Sequence, residues 1–193
     1  MDVPKLIIVA EHDTCLHTEQ WLAHLILLAN RLKEFPDAML QIRAKTKPSL
    51  RIWAYDQLPR NPRIVINGMV PGTSFPFVHL PQSQVQKTTQ SFGMSIHHPQ
   101  DPDQYDELGP QYYQLGPIFS PISKKGSPKG LSLITETKKR TRTPIIAVGG
   151  ITPGNTTSVM DAGAYGIASS GFVLRSSDPL SALYKLYKAV DNY

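Results

Sequence analysis

Three polar side chains alternate along one short apolar segment of this chain and just beyond it. Gln41, Arg43 and Lys45 are each two residues apart, so on an extended strand all three side chains point to the same side. An arginine that faces the inside of a fold is costly unless it has an anionic partner. This spacing therefore predicts a binding site for a negatively charged ligand.

Two glycine-containing turns directly follow apolar segments in the last third of the chain. Ile145–Val148 leads into Gly149-Gly150, and Ile167-Ala168 leads into a turn that contains Ser170 and Gly171. Glycine after a strand lets backbone N–H groups approach an anion, and a following helix adds its positive end. The two turns together predict a phosphate site at Gly149, Gly150, Ser170 and Gly171, although each alone could be an ordinary turn.

Further candidates stand at the ends of other apolar segments. They are Asn67, Ser95 and His97, followed by Ser123 and Lys124 in the loop after Gly116-Pro117. Lysines in such a loop could hold a diphosphate as point charges. His97 and His98 are adjacent on an extended segment and point to opposite sides, so a metal shared between them is not expected. No metal ligand is assigned.

The elements that must position these residues alternate between strands and helices. Helical patterns follow Thr18, which is a candidate N-cap, and cover 131–142, 155–162 and 180–190. Eight alternating strands predict a parallel sheet closed into a compact (β/α)8 barrel, the TIM-barrel architecture. The Pro- and Gly-rich segment 68–76 predicts a shortened connection between strands 3 and 4. The eight predicted strands are 5–10, 39–43, 63–66, 77–80, 93–96, 112–115, 145–148 and 165–168.

Composition limits the class of protein. The chain has 193 residues, of which 40% are hydrophobic and 18% are charged, so a single domain spanning 1–193 is expected. No apolar run is long enough for a membrane span or a secretory segment, and one cysteine excludes an intrachain disulfide, so a cytoplasmic location is expected. The net charge is +5, but the basic cluster at 138–142 falls at the end of a predicted helix, so small anions are favoured over nucleic acid.

The motifs together resemble the thiamine phosphate synthase/TenI family. GPIFSPISKKG at 116–126, PKGL at 128–131, PIIAVGGITPGN at 144–155 and DAGAYGIASSG at 161–171 are similar to the family's later segments. QIRAK at 41–45, VING at 65–68, VHLPQ at 78–82 and MSIH at 94–97 precede them in the family's order. The resemblance covers nearly the whole chain and is strongest after residue 110.

The resemblance implies a barrel enzyme and a homodimer. The synthase joins hydroxymethylpyrimidine diphosphate to thiazole phosphate and releases diphosphate, with magnesium offsetting the diphosphate charge. By resemblance, one group of residues contacts the diphosphate, with Arg43 and Lys124 stabilising its charge, and a second group holds the thiazole phosphate. The first group is Gln41, Arg43, Lys45, Ser95, Ser123 and Lys124, and the second is Gly149, Gly150, Ser170 and Gly171. Asn67 matches the asparagine of the family's strand-three motif and is expected to bind substrate.

The chain also departs from both branches of the family. The synthase places magnesium-binding aspartates after strands three and four, where this chain has Gly68-Met69 and, in the second segment, Gln84. No cofactor is therefore expected to bind tightly, and magnesium is expected only together with a diphosphate substrate. The TenI branch isomerises a thiazole carboxylate phosphate with a histidine at the position of Pro117, so His97 or His79 would have to replace that base.

Three hypotheses remain open from the sequence. The chain is a transferase of the thiamine phosphate synthase kind, a TenI-type thiazole tautomerase, or a non-catalytic protein that binds thiazole or thiamine phosphate. The missing carboxylates favour the second and third, whereas Pro117, Ser123 and Lys124 favour the first. In each case the expected ligands are small phosphates or diphosphates, with no role for nucleic acid or membranes.

Overall fold

The computed structural model describes residues 2–15, 17–70, 75–85, 90–120 and 128–193. Eight short strands form the centre of the fold, and nearly every residue in them is buried. All eight were predicted, with bounds within two residues of those observed. The strands are β1 (Leu6–Glu11), β2 (Ala38–Arg43), β3 (Ile64–Asn67), β4 (Phe77–Leu80), β5 (Ser91–Ile96), β6 (Tyr113–Leu115), β7 (Ile145–Val148) and β8 (Gly166–Ser169).

The strands close into a parallel barrel in chain order. The last pair, β1 and β8, aligns Leu6 with Ile167 and Ile8 with Ser169. A close backbone approach makes this closure possible, because a Cβ atom at Gly166 would overlap the carbonyl oxygen of Lys5. The predicted (β/α)8 barrel is therefore confirmed.

Alternation along the strands divides the buried side chains into two sets. One set faces outward and packs beneath the helices, and it includes Leu6, Ile8, Leu40 and Ile42. The other set fills the inside of the barrel with a smaller apolar cluster. Its members are Ile7, Val9, Met39, Val65, Phe77, Tyr112, Ile146 and Ala168. Continuing two residues at a time toward the carboxyl ends of these strands brings polar side chains into the same interior.

Seven helices surround the barrel in the described part of the chain. On the longest of them, Trp21 is fully buried and donates its indole N–H to the carbonyl of Ala10 at 3.0 Å, which ties the helix to β1. The seven are α1 (Thr18–Arg31), α2 (Leu50–Asp56), α3 (Asp101–Tyr105), α4 (Ser132–Lys138), α5 (Pro153–Asp161), α6 (Gly171–Leu174) and α7 (Pro179–Asp191). No helix among the described residues is long and apolar enough to cross a membrane.

Several details differ from the sequence-based expectations. Thr18 is the first helical residue instead of the N-cap, which is His17. The helix predicted over 131–142 ends at Lys138, so most of the basic cluster lies beyond it. Between Asn67 and Phe77 no helix appears in the described residues, in agreement with a shortened connection between strands 3 and 4.

Candidate functional site

One cavity of about 290 Å³ opens at the carboxyl ends of the strands. Residues at or just beyond the ends of several strands contribute to its lining, so the topology brings together side chains that are far apart in the sequence. Nine of the predicted site residues line it, namely Gln41, Arg43, Asn67, Ser95, His97, Gly149, Gly150, Ser170 and Gly171. The sequence analysis did not select Glu11, Thr14 or Gln114, which line it as well.

The floor of the cavity is polar and carries carboxamides. Gln41 on β2 is fully buried, and neither its oxygen nor its nitrogen has a hydrogen-bond partner among the described residues. Gln114 on β6 is 5% exposed, and within the same part of the chain its Oε1 has no partner. Both side chains lie two residues above apolar members of the interior cluster, Met39 and Tyr112.

A histidine on β4 is held between two hydroxyl groups beneath the cavity. His79 Nδ1 lies 3.1 Å from the Tyr112 hydroxyl, and Nε2 lies 2.8 Å from the Ser95 hydroxyl, which faces the cavity. The Tyr112 ring fills the space that a side chain at Gly93 would occupy. Complete burial, with a smaller contribution from the charge of Arg43, lowers the pKa of His79 to about 3.

His79 is therefore neutral near pH 7 and has both ring nitrogens engaged. This arrangement argues against the suggestion that His79 replaces the TenI base. Its hydrogen bond instead fixes the position of the Ser95 hydroxyl at the cavity wall.

The positive charge at the cavity mouth belongs to Arg43, which is part of an ion pair. Arg43 on β2 pairs with Glu11, which lies opposite it on β1 and whose side chain is only 3% exposed. Glu11 Oε1 also accepts a hydrogen bond from the backbone N–H of Lys45 at 3.3 Å. Desolvation lowers the pKa of Arg43, although the pairing with Glu11 keeps its charge compensated.

Lys45 departs from the prediction. The sequence analysis placed it on the same inner side as Gln41 and Arg43, but it is exposed and does not line the cavity. β2 ends at Arg43, so the strict alternation that carried the prediction no longer applies at Lys45.

His97 is exposed at the cavity edge and is held in place on several sides. Its Nδ1 lies 2.8 Å from the carbonyl oxygen of Gly116, its backbone N–H donates to Asp101, and its carbonyl accepts from Lys129 Nζ at 2.6 Å. Because a carbonyl oxygen only accepts, Nδ1 carries a proton, and Nε2 of the neutral ring keeps its lone pair. The imidazole thus lies next to the Gly116-Pro117 turn, and no partner for its Nε2 appears among the described residues.

The two glycine turns, which follow β7 and β8, also line the mouth. Gly149 and Gly150 have φ of 102° and 62°, and no acceptor appears for their backbone N–H groups among the described residues. A Cβ at Gly149 would lie 2.7 Å from Pro117 Cα, and one at Gly150 would lie 2.6 Å from the carbonyl of Ser120. These glycines are required by close packing against the β6 loop, and that packing leaves their N–H groups unpaired in the described structure.

Side chains brace the same turns. Asn155 at the start of α5 accepts from the N–H of Thr152 at 2.9 Å and donates to the carbonyl of Gly150 at 3.0 Å. Beyond the neighbouring ends of β8 and β1, the hydroxyls of Ser170 and Thr14 lie 3.4 Å apart. Fixed N–H groups and hydroxyls of this kind suit phosphate oxygens.

The positions that would carry the magnesium-binding aspartates contact one another without any carboxylate. The N–H of Met69 donates to Gln84 Oε1 at 2.9 Å, and Arg51 donates to the carbonyl of Asn67 beside Gly68. Across the described ranges, no group of three histidine, cysteine, aspartate or glutamate side chains could hold a metal ion. The other two predicted contacts, Ser123 and Lys124, lie outside the described residues.

Comparison with known proteins decides the family. The model of the thiamine monophosphate synthase family matches residues 77–172, about half of the chain. A thiamine-phosphate synthase of Haloquadratum walsbyi is 30% identical over 103 residues, which cover 51% of this chain and 46% of that protein. One from Koribacter versatilis is 28% identical over 186 residues, covering 87% and 88%. The chain belongs to the thiamine phosphate synthase/TenI family.

The solved structures agree with this membership at the level of the fold. A thiamine phosphate pyrophosphorylase from Pyrococcus furiosus superposes with a TM-score of 0.72 at 18% identity, covering 97% of this chain and 96% of that one. The chain spans slightly less than half the length of several of the relatives that it matches, as in the 46% for the Haloquadratum protein. Family membership is therefore established, whereas the reaction is a matter for proposal.

Proposed function

We propose that this family member is thiamine phosphate synthase-like and joins hydroxymethylpyrimidine diphosphate to thiazole phosphate. One observation carries the proposal: the same cavity is lined by Arg43, at the end of β2, and by the glycine turns at Gly149-Gly150 and Ser170-Gly171, at the ends of β7 and β8. Two separate anion-binding elements around one cavity suit two phosphorylated substrates that react with each other.

The proposed reaction breaks one bond and forms another. The carbon–oxygen bond between the pyrimidine methylene and the diphosphate breaks, and the thiazole nitrogen bonds to that methylene carbon. The diphosphate leaves with the bonding electrons, so negative charge accumulates on it. Arg43, together with Lys124 as inferred from the sequence, stabilises that charge, while the glycine turns hold the thiazole phosphate.

Magnesium is implied by the family, but the residues at hand do not fit a site that binds it in the free protein. Gln84 Oε1 is already used by the N–H of Met69, and Glu11, the carboxylate at the cavity, is paired with Arg43. A hard dication needs carboxylate or phosphate oxygens. We therefore expect no micromolar magnesium binding by calorimetry without diphosphate, and a tight site on the free protein would contradict this expectation.

A TenI-type tautomerase is the second candidate, and the position of His97 favours it. Its ring hydrogen-bonds to Gly116, beside the position where the TenI branch carries its base, and Nε2 is available to accept a carbon-bound proton. A base near neutral pH and an anchored phosphate are the main requirements of that reaction. His97→Gln would therefore abolish tautomerisation while leaving phosphate binding intact.

The decisive experiment assays two reactions with the same preparation. One mixture contains both thiamine precursors and magnesium, and the other contains the thiazole carboxylate tautomer alone. Synthase activity that falls by roughly tenfold to a thousandfold in Lys124→Ala supports the first proposal. Tautomer conversion that ignores Lys124→Ala but fails in His97→Gln supports the second.

Lys185 provides the matched control for the lysine variant. It is exposed on α7, away from the cavity lining, so Lys185→Ala should leave both reactions unchanged. If neither reaction proceeds while thiazole phosphate still binds, both enzyme proposals are wrong and the non-catalytic binding protein remains.

A further inference from the structure

The carboxamides at the cavity floor lack partners that buried polar groups normally have. Gln41 is fully buried and Gln114 is 5% exposed. Within the described residues, no hydrogen-bond partner is found for Oε1 and Nε2 of Gln41 or for Oε1 of Gln114. Leaving such atoms buried and unpaired is costly, so a fold rarely keeps them without a use. Both side chains line the same cavity, which indicates that a ligand completes their hydrogen bonds.

The unpaired atoms specify what that ligand must offer. Gln41 presents one acceptor oxygen and one donor nitrogen side by side, and Gln114 presents a further acceptor oxygen. The complement is a group with two N–H donors next to an acceptor. A planar heterocycle with an amino group beside a ring nitrogen has this edge, and carboxamides read the same edge of adenine in nucleic acids.

The rest of the floor adds no formal charge. The pKa of His79 lies at about 3 because of its burial, so the ring beside Ser95 is neutral near pH 7. Below lie the apolar side chains Met39, Phe77 and Tyr112. The charged groups, Glu11 and Arg43, are at the mouth. An uncharged ring is therefore suited to the floor, while an anionic group is suited to the mouth.

We propose that Gln114 is a specificity-determining residue, which accepts a hydrogen bond from the amino group of an aminopyrimidine while Gln41 pairs with the ring edge. This inference rests on the proposed function and deepens it, because it concerns which ring the synthase-like site accepts. A thiazole carboxylate lacks N–H donors, so it leaves the Gln114 oxygen unpaired.

The test measures discrimination between two rings by calorimetry. The probes are hydroxymethyl-aminopyrimidine and the same pyrimidine with hydrogen in place of the amino group, neither of which carries a phosphate. Wild-type protein should prefer the amino compound by at least roughly tenfold, since a site built to pair an N–H group rejects the analogue that lacks it. Gln114→Leu should reduce that preference severalfold, and inorganic diphosphate should bind Gln114→Leu as it binds wild type.

The melting temperature of Gln114→Leu is a second test of the proposal. Replacing an unpaired buried carboxamide with an apolar side chain of similar size should leave the melting temperature unchanged or raise it, whereas a structural role for Gln114 predicts a fall. Gln114→Met provides a second variant of similar shape should the leucine fail to fold. The proposal would be overturned if wild type and both variants showed the same preference between the two probes. It would also be overturned if wild type bound neither ring.

The outcome is separable from that of the synthase assay. Turnover of both precursors with unchanged ring preference in Gln114→Leu would remove the role of Gln114 and keep the proposed function. If ring preference is lost in Gln114→Leu while wild type shows no synthase turnover, the role of Gln114 is kept and the proposed function is removed.

Discussion

At the scale of single residues, burial forces ionisable groups inside this barrel into one protonation state. His79 has a pKa of about 3 in the folded protein, below the 6.5 of an ordinary histidine. Between these values the unfolded chain binds a proton that the folded chain does not, so the free energy of unfolding decreases as pH falls from 6.5 to 3. At about 1.4 kcal/mol per pKa unit, the loss at low pH amounts to at most a few kcal/mol.

We therefore expect the stability advantage of wild type over His79→Gln to shrink as pH falls. At pH 7.5 the variant should be less stable, because it loses hydrogen bonds to Ser95 and Tyr112. Urea unfolding at pH 7.5 and pH 4.5, with equal denaturant slopes, measures the difference. An advantage that stays constant between these pH values would mean that His79 is protonated in the folded protein.

The Glu11–Arg43 pair sets the charge available to an anion. Glu11→Gln removes the counter-charge of Arg43, so inorganic diphosphate should bind severalfold more tightly. Arg43→Met should weaken diphosphate binding and destabilise the fold by roughly 3 kcal/mol, because Glu11 is left buried without its partner.

The double variant distinguishes pairing from packing. Glu11→Gln combined with Arg43→Met should recover much of the stability lost in Arg43→Met alone, which urea unfolding can measure. No recovery would show that Arg43 contributes through packing of its stem instead of through the ion pair.

At the scale of elements, the β7–α5 turn depends on backbone conformations that favour glycine. Gly149 has φ of 102° and no room for a side chain beside Pro117, so Gly149→Ala should destabilise the protein by roughly 2 kcal/mol and weaken phosphate binding. Gly154, also in this segment, is the matched control. It is helical and a Cβ there meets only Thr152 Oγ1 at 3.9 Å, so Gly154→Ala should be neutral or slightly stabilising.

Thermal unfolding with and without phosphate checks both glycine variants. Wild type and Gly154→Ala should gain melting temperature on addition of phosphate, whereas Gly149→Ala should gain less. Equal gains in all three proteins would separate the turn from phosphate binding.

At the scale of the whole molecule, the barrel closes where β8 approaches β1 most tightly. Any side chain at Gly166 would overlap the Lys5 carbonyl, so Gly166→Val should lower the free energy of unfolding by at least about 2 kcal/mol. Gly109→Asn is the control, since that glycine has φ of 72° with nothing within 4 Å of the added Cβ, and asparagine tolerates this conformation. Chemical denaturation of both variants measures the contrast.

Sequence patterns predicted the architecture because each strand is a short apolar run between turn residues, and eight such runs favour a barrel. They predicted Gln41 and Arg43 because alternation holds as long as the strand continues, and the prediction was wrong at Lys45, beyond the strand end. Gln114 was missed because one glutamine in an apolar strand carries no signal without its neighbours. The pairing of Glu11 with Arg43 was missed because it depends on the register between two strands.

The glycine turns at the mouth and the floor of the cavity are built from different kinds of atoms, and this has a consequence for how the protein can change. The glycine turns offer backbone N–H groups, which stay in place whatever side chains surround them, while the floor is read by two exchangeable side chains. Substitutions at positions 41 and 114 should thus alter which ring the cavity accepts, while phosphate binding at the glycine turns stays unchanged. A change of ring specificity would then require substitutions at these two positions and no change of the barrel scaffold.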